Sequence, residues 1–167
     1  IDLREGIWNK KSYATADGIM GKTIGIIGLG GIGLSVAERA KAFGLSVIGQ
    51  RKNGRSPGVE QRIRQIGIRL TDSLEDLVAQ SDVISVHVPF NQETIGLVDE
   101  ALLRKFKDGA ILINTSRGEI VDEPALIKVM QERGIRAGLD VFCNEPASAE
   151  SSIVSELASH PSVVGSH

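Results

Sequence analysis

The hexapeptide Gly28-Leu29-Gly30-Gly31-Ile32-Gly33 has the spacing G-x-G-x-x-G, and its neighbours decide what that spacing means. Before it, Thr23-Ile24-Gly25-Ile26-Ile27 is a short apolar run bounded by glycines, the pattern of a strand buried on both faces. After it, residues 34–43 place Val36, Ala37, Ala40 and Phe43 on one side at helical spacing, and Gly44 stands where a helix ends. In that setting Gly28 makes the tight turn, Gly30 lets the backbone approach a pyrophosphate, and Gly33 lets helix and strand pack closely. The start of the helix that follows offers free N–H groups and a positive dipole end, which suit phosphates. The competing reading is a purely structural turn.

The rest of the chain repeats this alternation. Strands are expected over 45–49, 68–70, 82–88, 110–114, 135–141 and 163–164. Helices are expected over 60–66, 71–80, 97–106, 123–132 and 152–159, with Asp72 or Ser73 and Asp122 as caps. The alternation predicts an α/β protein, a doubly wound parallel sheet of the Rossmann type with three layers, α/β/α. Composition agrees: 19 of 167 residues are glycine and only 4% are aromatic, which suits glycine-rich loops around an aliphatic core. The net charge of −2 recruits neither nucleic acid nor an anionic membrane. A single cysteine, Cys143, excludes a disulfide framework or a cysteine zinc cluster, and no metal site is expected. No apolar run reaches membrane-spanning length, and a reducing cytoplasm is the expected compartment.

Two further features bear on chemistry. An acidic residue is expected at the end of the second strand to hold the ribose hydroxyls of NAD. Arg51 stands there instead, with Lys52 and Arg55 beside it and no acid between residues 45 and 58. A guanidinium can grip a 2′-phosphate, so the cofactor is expected to be NAD or NADP, with NADP favoured. Beyond the strand at 110–114 lies Thr115-Ser116-Arg117-Gly118, where an arginine can bind a carboxylate and polarise a carbonyl. At the end of the strand at 135–141, Asp140 can meet a nicotinamide carboxamide, and beyond it Glu145 can orient a histidine. Val88 and Pro89, after His87, are expected against the adenosine half.

The segments GKTIGIIGLGGIG, SDVISVHVPFNQETIGLV, INTSRGEIVDEPAL and AGLDVFCNEP, in this order, resemble the D-isomer-specific 2-hydroxyacid dehydrogenases. The resemblance runs from about residue 6 to the end. Within the family it is greatest to the D-3-phosphoglycerate dehydrogenases, with the hydroxypyruvate/glyoxylate reductases next. It implies hydride transfer between a nicotinamide cofactor and C2 of a 2-hydroxy or 2-oxo acid. Arg117 matches the substrate-binding arginine and Glu145 the acid that positions a catalytic histidine. Thr115, Ser116 and Asp140 match positions around the nicotinamide and its ribose, and Gly31 and Ile32 match pyrophosphate contacts.

The histidine motif of the family aligns with Pro161-Ser162-Val163-Val164-Gly165-Ser166-His167. His167 is the acid/base if a one-residue deletion shifts the register; otherwise that role falls to the next residue along. The resemblance also implies that residues 1–167 are a single dinucleotide-binding domain from a two-domain enzyme, lacking the substrate domain, and that the protein is a homodimer. A dinucleotide-sensing protein like the C-terminal-binding transcriptional corepressors is the alternative from another class. A formate dehydrogenase is a third reading.

Overall fold

All seven strands expected from the sequence form, and every pairing is parallel. The computed structural model describes residues 6–8, 18–143, 145 and 155–166. The strands are β1 (Thr23–Ile27), β2 (Ser46–Gln50), β3 (Arg69–Thr71), β4 (Val83–Val86), β5 (Ile111–Asn114), β6 (Arg136–Leu139) and β7 (Val163–Gly165). They lie in the order β3-β2-β1-β4-β5-β6-β7. Chain order therefore reverses between β1 and β4, and a crevice opens at such a switch point beyond the strand C-termini. Ile24 of β1 sits opposite Val47 on one side and Val83 on the other.

Because side chains alternate along each strand, the sheet separates two cores. One face carries Ile24, Ile26 and Val47 under α1 (Gly31–Ala42) and α2 (Pro57–Ile66), which contribute Leu34, Ala37 and Ile63. The opposite face carries Ile27, Ile48, Ile84 and Leu112. It is covered by α3 (Leu74–Ala79), α4 (Glu100–Leu103) and α5 (Glu123–Arg133). Leu77, Leu103, Phe106 and Leu126 from that layer are fully buried. The three-layer α/β/α architecture is thus observed.

Helix boundaries differ from the sequence reading for local reasons. α1 starts three residues early, at Gly31, because its first turn is built of glycines that carry no apolar period. α2 starts at Pro57, a residue suited to a first turn, with Ser56 Oγ accepting from the Val59 N–H. Thr71 belongs to β3, so α3 begins only after Ser73, whose hydroxyl caps Asp76 N–H at 3.0 Å. The helix expected over 97–106 shrinks to four residues. Val98 instead pairs with Val121 in an isolated parallel bridge, and Asp99 caps what remains. Residues 156–159 form turns rather than the expected helix, and residues 152–154 lie outside the described residues.

Candidate active site

The four glycines of the loop divide into two pairs. Gly28 adopts φ +102°, which only glycine takes readily, and a Cβ there would meet the His87 carbonyl. At Gly33 a Cβ would fall under 3.0 Å from the Gly28 carbonyl oxygen. Both are explained by packing alone. Around Gly30 and Gly31 a Cβ would find nothing within 4 Å, and neither residue has a positive φ. Packing therefore gives no reason for glycine at these two positions. A ligand brought close to the backbone would. Gly30 is the N-cap of α1 in extended conformation and supplies no side-chain cap, so the helix start is open to an anion.

Two adjoining cavities run along this edge of the sheet. One, of about 340 Å³, is floored by Ile27, Gly28 and Gly30 and walled by Gln50, Lys52 and Arg55. The other, of about 610 Å³, is lined by Ile32, Phe90, Thr115, Ser116 and Arg117. His87, Val88 and Pro89 border both. Two apolar side chains on the wall of the larger cavity stand open: Ile32 is 71% exposed and Phe90 51%. A two-part cleft with a glycine cradle between its halves has the layout of a dinucleotide site.

The Arg117 loop is held from below. Asn114, at the end of β5, is 1% exposed, and its carboxamide bridges the loop. Its Oδ1 accepts from Ser116 N–H at 3.0 Å, and its Nδ2 donates to Arg117 O at 2.8 Å. Ser116 Oγ donates to Val86 O, tying the loop to β4. Arg117 itself is exposed, with Nη1 donating to Ser116 O at 2.6 Å. Arg117 and Glu145 come together at a third cavity of about 200 Å³, shared with Gly118, Glu119 and Phe142. Glu145 Oε1 accepts from Phe142 N–H at 2.8 Å. Asp140, past the end of β6, accepts from Ser166 Oγ at 2.7 Å. His167 lies outside the described residues.

The placement of Arg51 was not evident from sequence. Arg51 lines neither main cavity; its Nε pairs with Asp72 at 3.0 Å, with both side chains largely exposed at 59% and 86%. The acid missing from the 45–58 segment thus arrives from the end of β3. Lys52 and Arg55 face the smaller cavity instead, with Arg55 Nη2 donating to Gln50 O at 2.5 Å. His87, at the junction of the cavities, has Nε2 2.8 Å from Ser85 Oγ. Burial pushes its imidazole below the ordinary histidine range, so it stands neutral. The bridging Asn114 was missed as well. The signal for it was an Asn at a strand end with Ser two residues on, the pattern of an Asx-turn. Among the described residues, no cluster of three His, Cys, Asp or Glu side chains could hold a metal, and no helix is long and apolar enough to cross a membrane.

A doubly wound parallel sheet with an open glycine cradle and a two-part cleft at its switch point defines a dinucleotide-binding domain. The chain belongs to the D-isomer-specific 2-hydroxyacid dehydrogenases, whose NAD-binding domain matches residues 1–166. It is 45% identical over 148 residues to a D-3-phosphoglycerate dehydrogenase of Mycobacterium bovis, covering 87% of this chain and 27% of that one. A glyoxylate reductase of Thermococcus litoralis is 44% identical over 151 residues, covering 86% and 44%. Among solved structures, the NAD-complexed D-isomer-specific 2-hydroxyacid dehydrogenase of Lactobacillus delbrueckii ssp. bulgaricus superposes with a TM-score of 0.78. It is 30% identical, covering 98% of this chain and 52% of that one. The chain therefore spans about a quarter to a half of the length of these relatives.

Proposed function

We propose that this chain is the NAD(P)-binding domain of a two-domain D-2-hydroxyacid dehydrogenase, most similar to the D-3-phosphoglycerate dehydrogenases and working as a homodimer. The observation that carries this is the pair Gly30 and Gly31, free of any packing need, beside a cavity that leads to Arg117. Held at Gly30 and Gly31, a nicotinamide dinucleotide would supply or accept the hydride at C2 of the substrate. The Arg117 guanidinium binds the substrate carboxylate and draws charge onto the C2 oxygen. Thr115, Ser116 and Asp140 flank the nicotinamide end, Ile32 and Phe90 give it an apolar wall, and Val88 and Pro89 lie against the adenosine half. Glu145 orients the histidine that exchanges the hydroxyl proton.

Lys52 and Arg55 on the wall of the smaller cavity favour NADP, because a second phosphate there meets two cations. Arg51 contributes only after leaving Asp72, and an exposed pair of that kind costs little to break. The test is direct. The 167-residue chain should bind NADPH, and the full-length protein should reduce a 2-oxo acid with it. Lys52→Glu should weaken NADPH about tenfold or more while leaving NADH unchanged. Equal losses for both cofactors would remove the NADP assignment. Failure of the chain to bind either would remove the whole reading.

A further inference from the structure

Glu123 begins α5, and nothing in the dinucleotide cleft explains what its side chain does. The cap of that helix is already supplied by Asp122, whose Oδ1 accepts from Ala125 N–H at 3.0 Å. Glu123 instead reaches 20 residues along the chain, and its Oε1 accepts from Cys143 N–H at 2.6 Å. That N–H belongs to the turn carrying Glu145, between the Phe142 N–H held by Glu145 and Glu145 itself. On the other side of the same turn stands Gly118, the residue after Arg117. A Cβ there would fall under 3.0 Å from the backbone of Phe142 and Cys143, so the two loops touch main chain to main chain.

We infer that Glu123 is a positioning residue that fixes the Glu145 turn against the Arg117 loop, through its hydrogen bond to the Cys143 N–H and the bare contact at Gly118. Among the described residues, the turn's other anchors are the Phe142 side chain against the larger core and the Phe142 N–H held by Glu145. Phe142 and Cys143 are half-buried and Glu145 is exposed, so packing alone does not set its height above the sheet. A carboxylate accepting from a backbone N–H makes a short and strong hydrogen bond, and its place at a helix N-terminus favours its charge. One end of the clamp is therefore a rigid helix start. The other is the main chain two residues before Glu145. The catalytic weight of this inference rests on the proposed hydride-transfer function; the clamp itself does not.

The experiment separates the two. In the 167-residue chain, amide hydrogen exchange at Cys143 is measured for the unsubstituted protein, Glu123→Ala and Glu123→Gln. The alanine variant should exchange at least about tenfold faster at Cys143, with exchange in β1 and β5 unchanged, while glutamine keeps the acceptor oxygen and most of the protection. In the full-length protein, Glu123→Ala should lower kcat about tenfold or more with KM for the dinucleotide little changed, because misplacing a catalytic group by about 1 Å is enough to do so. Glu123→Gln should retain most of kcat. Unchanged exchange at Cys143 in Glu123→Ala would overturn the clamp whatever the enzyme does. Faster exchange with unchanged kcat would overturn the positioning role. An inactive full-length protein would overturn the proposed function and the positioning role with it, with the exchange data still deciding the clamp.

Discussion

Gly30→Ala and Gly33→Ala each add one methyl group, three residues apart, and should damage the protein in opposite ways. At Gly33 the new carbon falls under 3.0 Å from the Gly28 carbonyl oxygen and 3.2 Å from Ile26 Cγ2. The carbonyl is part of the turn and cannot rotate aside, so the start of α1 must withdraw by about 1 Å. Overpacking of this kind costs about 1–3 kcal/mol. In a chain of this size each kcal/mol lowers Tm by about 2–4 °C, so a fall of roughly 2–12 °C is expected. The same withdrawal lengthens N–H contacts to a bound phosphate. Loss of one charge-assisted bond is worth about 1.5–3 kcal/mol, or roughly 10- to 150-fold in Kd.

At Gly30 the methyl meets nothing within 4 Å, and the φ of −83° suits alanine. Alanine restricts the unfolded chain but is a poorer N-cap than glycine, so the two effects offset and stability should change by less than about 1 kcal/mol. Yet that methyl stands where the pyrophosphate must approach, so the dinucleotide should bind about a hundredfold more weakly. Calorimetry and a fluorescence titration with NADPH on both variants measure the two effects separately. Gly30→Ala binding within about threefold of the unsubstituted chain would refute the ligand account of that glycine. An unchanged Tm for Gly33→Ala would refute the packing account of the other.

The neutral, half-buried His87 gives a pH signature. Its folded pKa is depressed below the unfolded value of about 6.5, so the unfolded chain binds the proton more readily. Stability should be constant above that pH and decline as pH falls from about 6.5 toward the folded value, and His87→Gln should flatten the decline in urea titrations taken at successive pH values. The Cys143 thiol is pushed up to about 11 by burial and then by the neighbouring Glu123 carboxylate. At neutral pH it should react with a disulfide reagent roughly a hundredfold more slowly than an unhindered thiol, and Glu123→Ala should accelerate it. Phe106, 1% exposed, is part of the larger core. Phe106→Ala should cost about 3–5 kcal/mol by chemical denaturation, with dinucleotide affinity per folded molecule unchanged.

What was legible in the sequence followed the strength of the local pattern. Strands such as Thr23–Ile27 and Val83–Val86 are continuous apolar runs between breaks, and each formed within two residues of its expected bounds. Element ends were harder, because tertiary partners claim them. Val98 carries a helical pattern but is held in a bridge to Val121, and Thr71 is claimed by β3 through the Gln50 pairing. At the site, the glycine loop and Arg117 could be placed because residues just past strand ends face the crevice of such a sheet. The direction of Arg51 could not. It depends on Asp72, which stands 21 residues away in sequence and arrives only when β3 pairs with β2. The grip of Glu123 on Cys143 is likewise invisible until β6 returns the chain to the start of α5.

The three-residue strand β7 acts as a ruler for whatever chain follows it. Its register is fixed by the pairing of Val163, Val164 and Gly165 with Ala137, Gly138 and Leu139, and the ladder continues with Ser166 N–H donating to Leu139 O. Because side chains alternate with a period of two, the ladder decides which face each next side chain takes. A residue added or removed before Ser162 can be absorbed by the turn that leads into β7. The same change inside β7 would turn the Ser166 hydroxyl away from Asp140 and present the opposite face of the chain to the cleft. In this architecture the length of an edge strand, as much as the identity of any side chain, determines which face Ser166 presents.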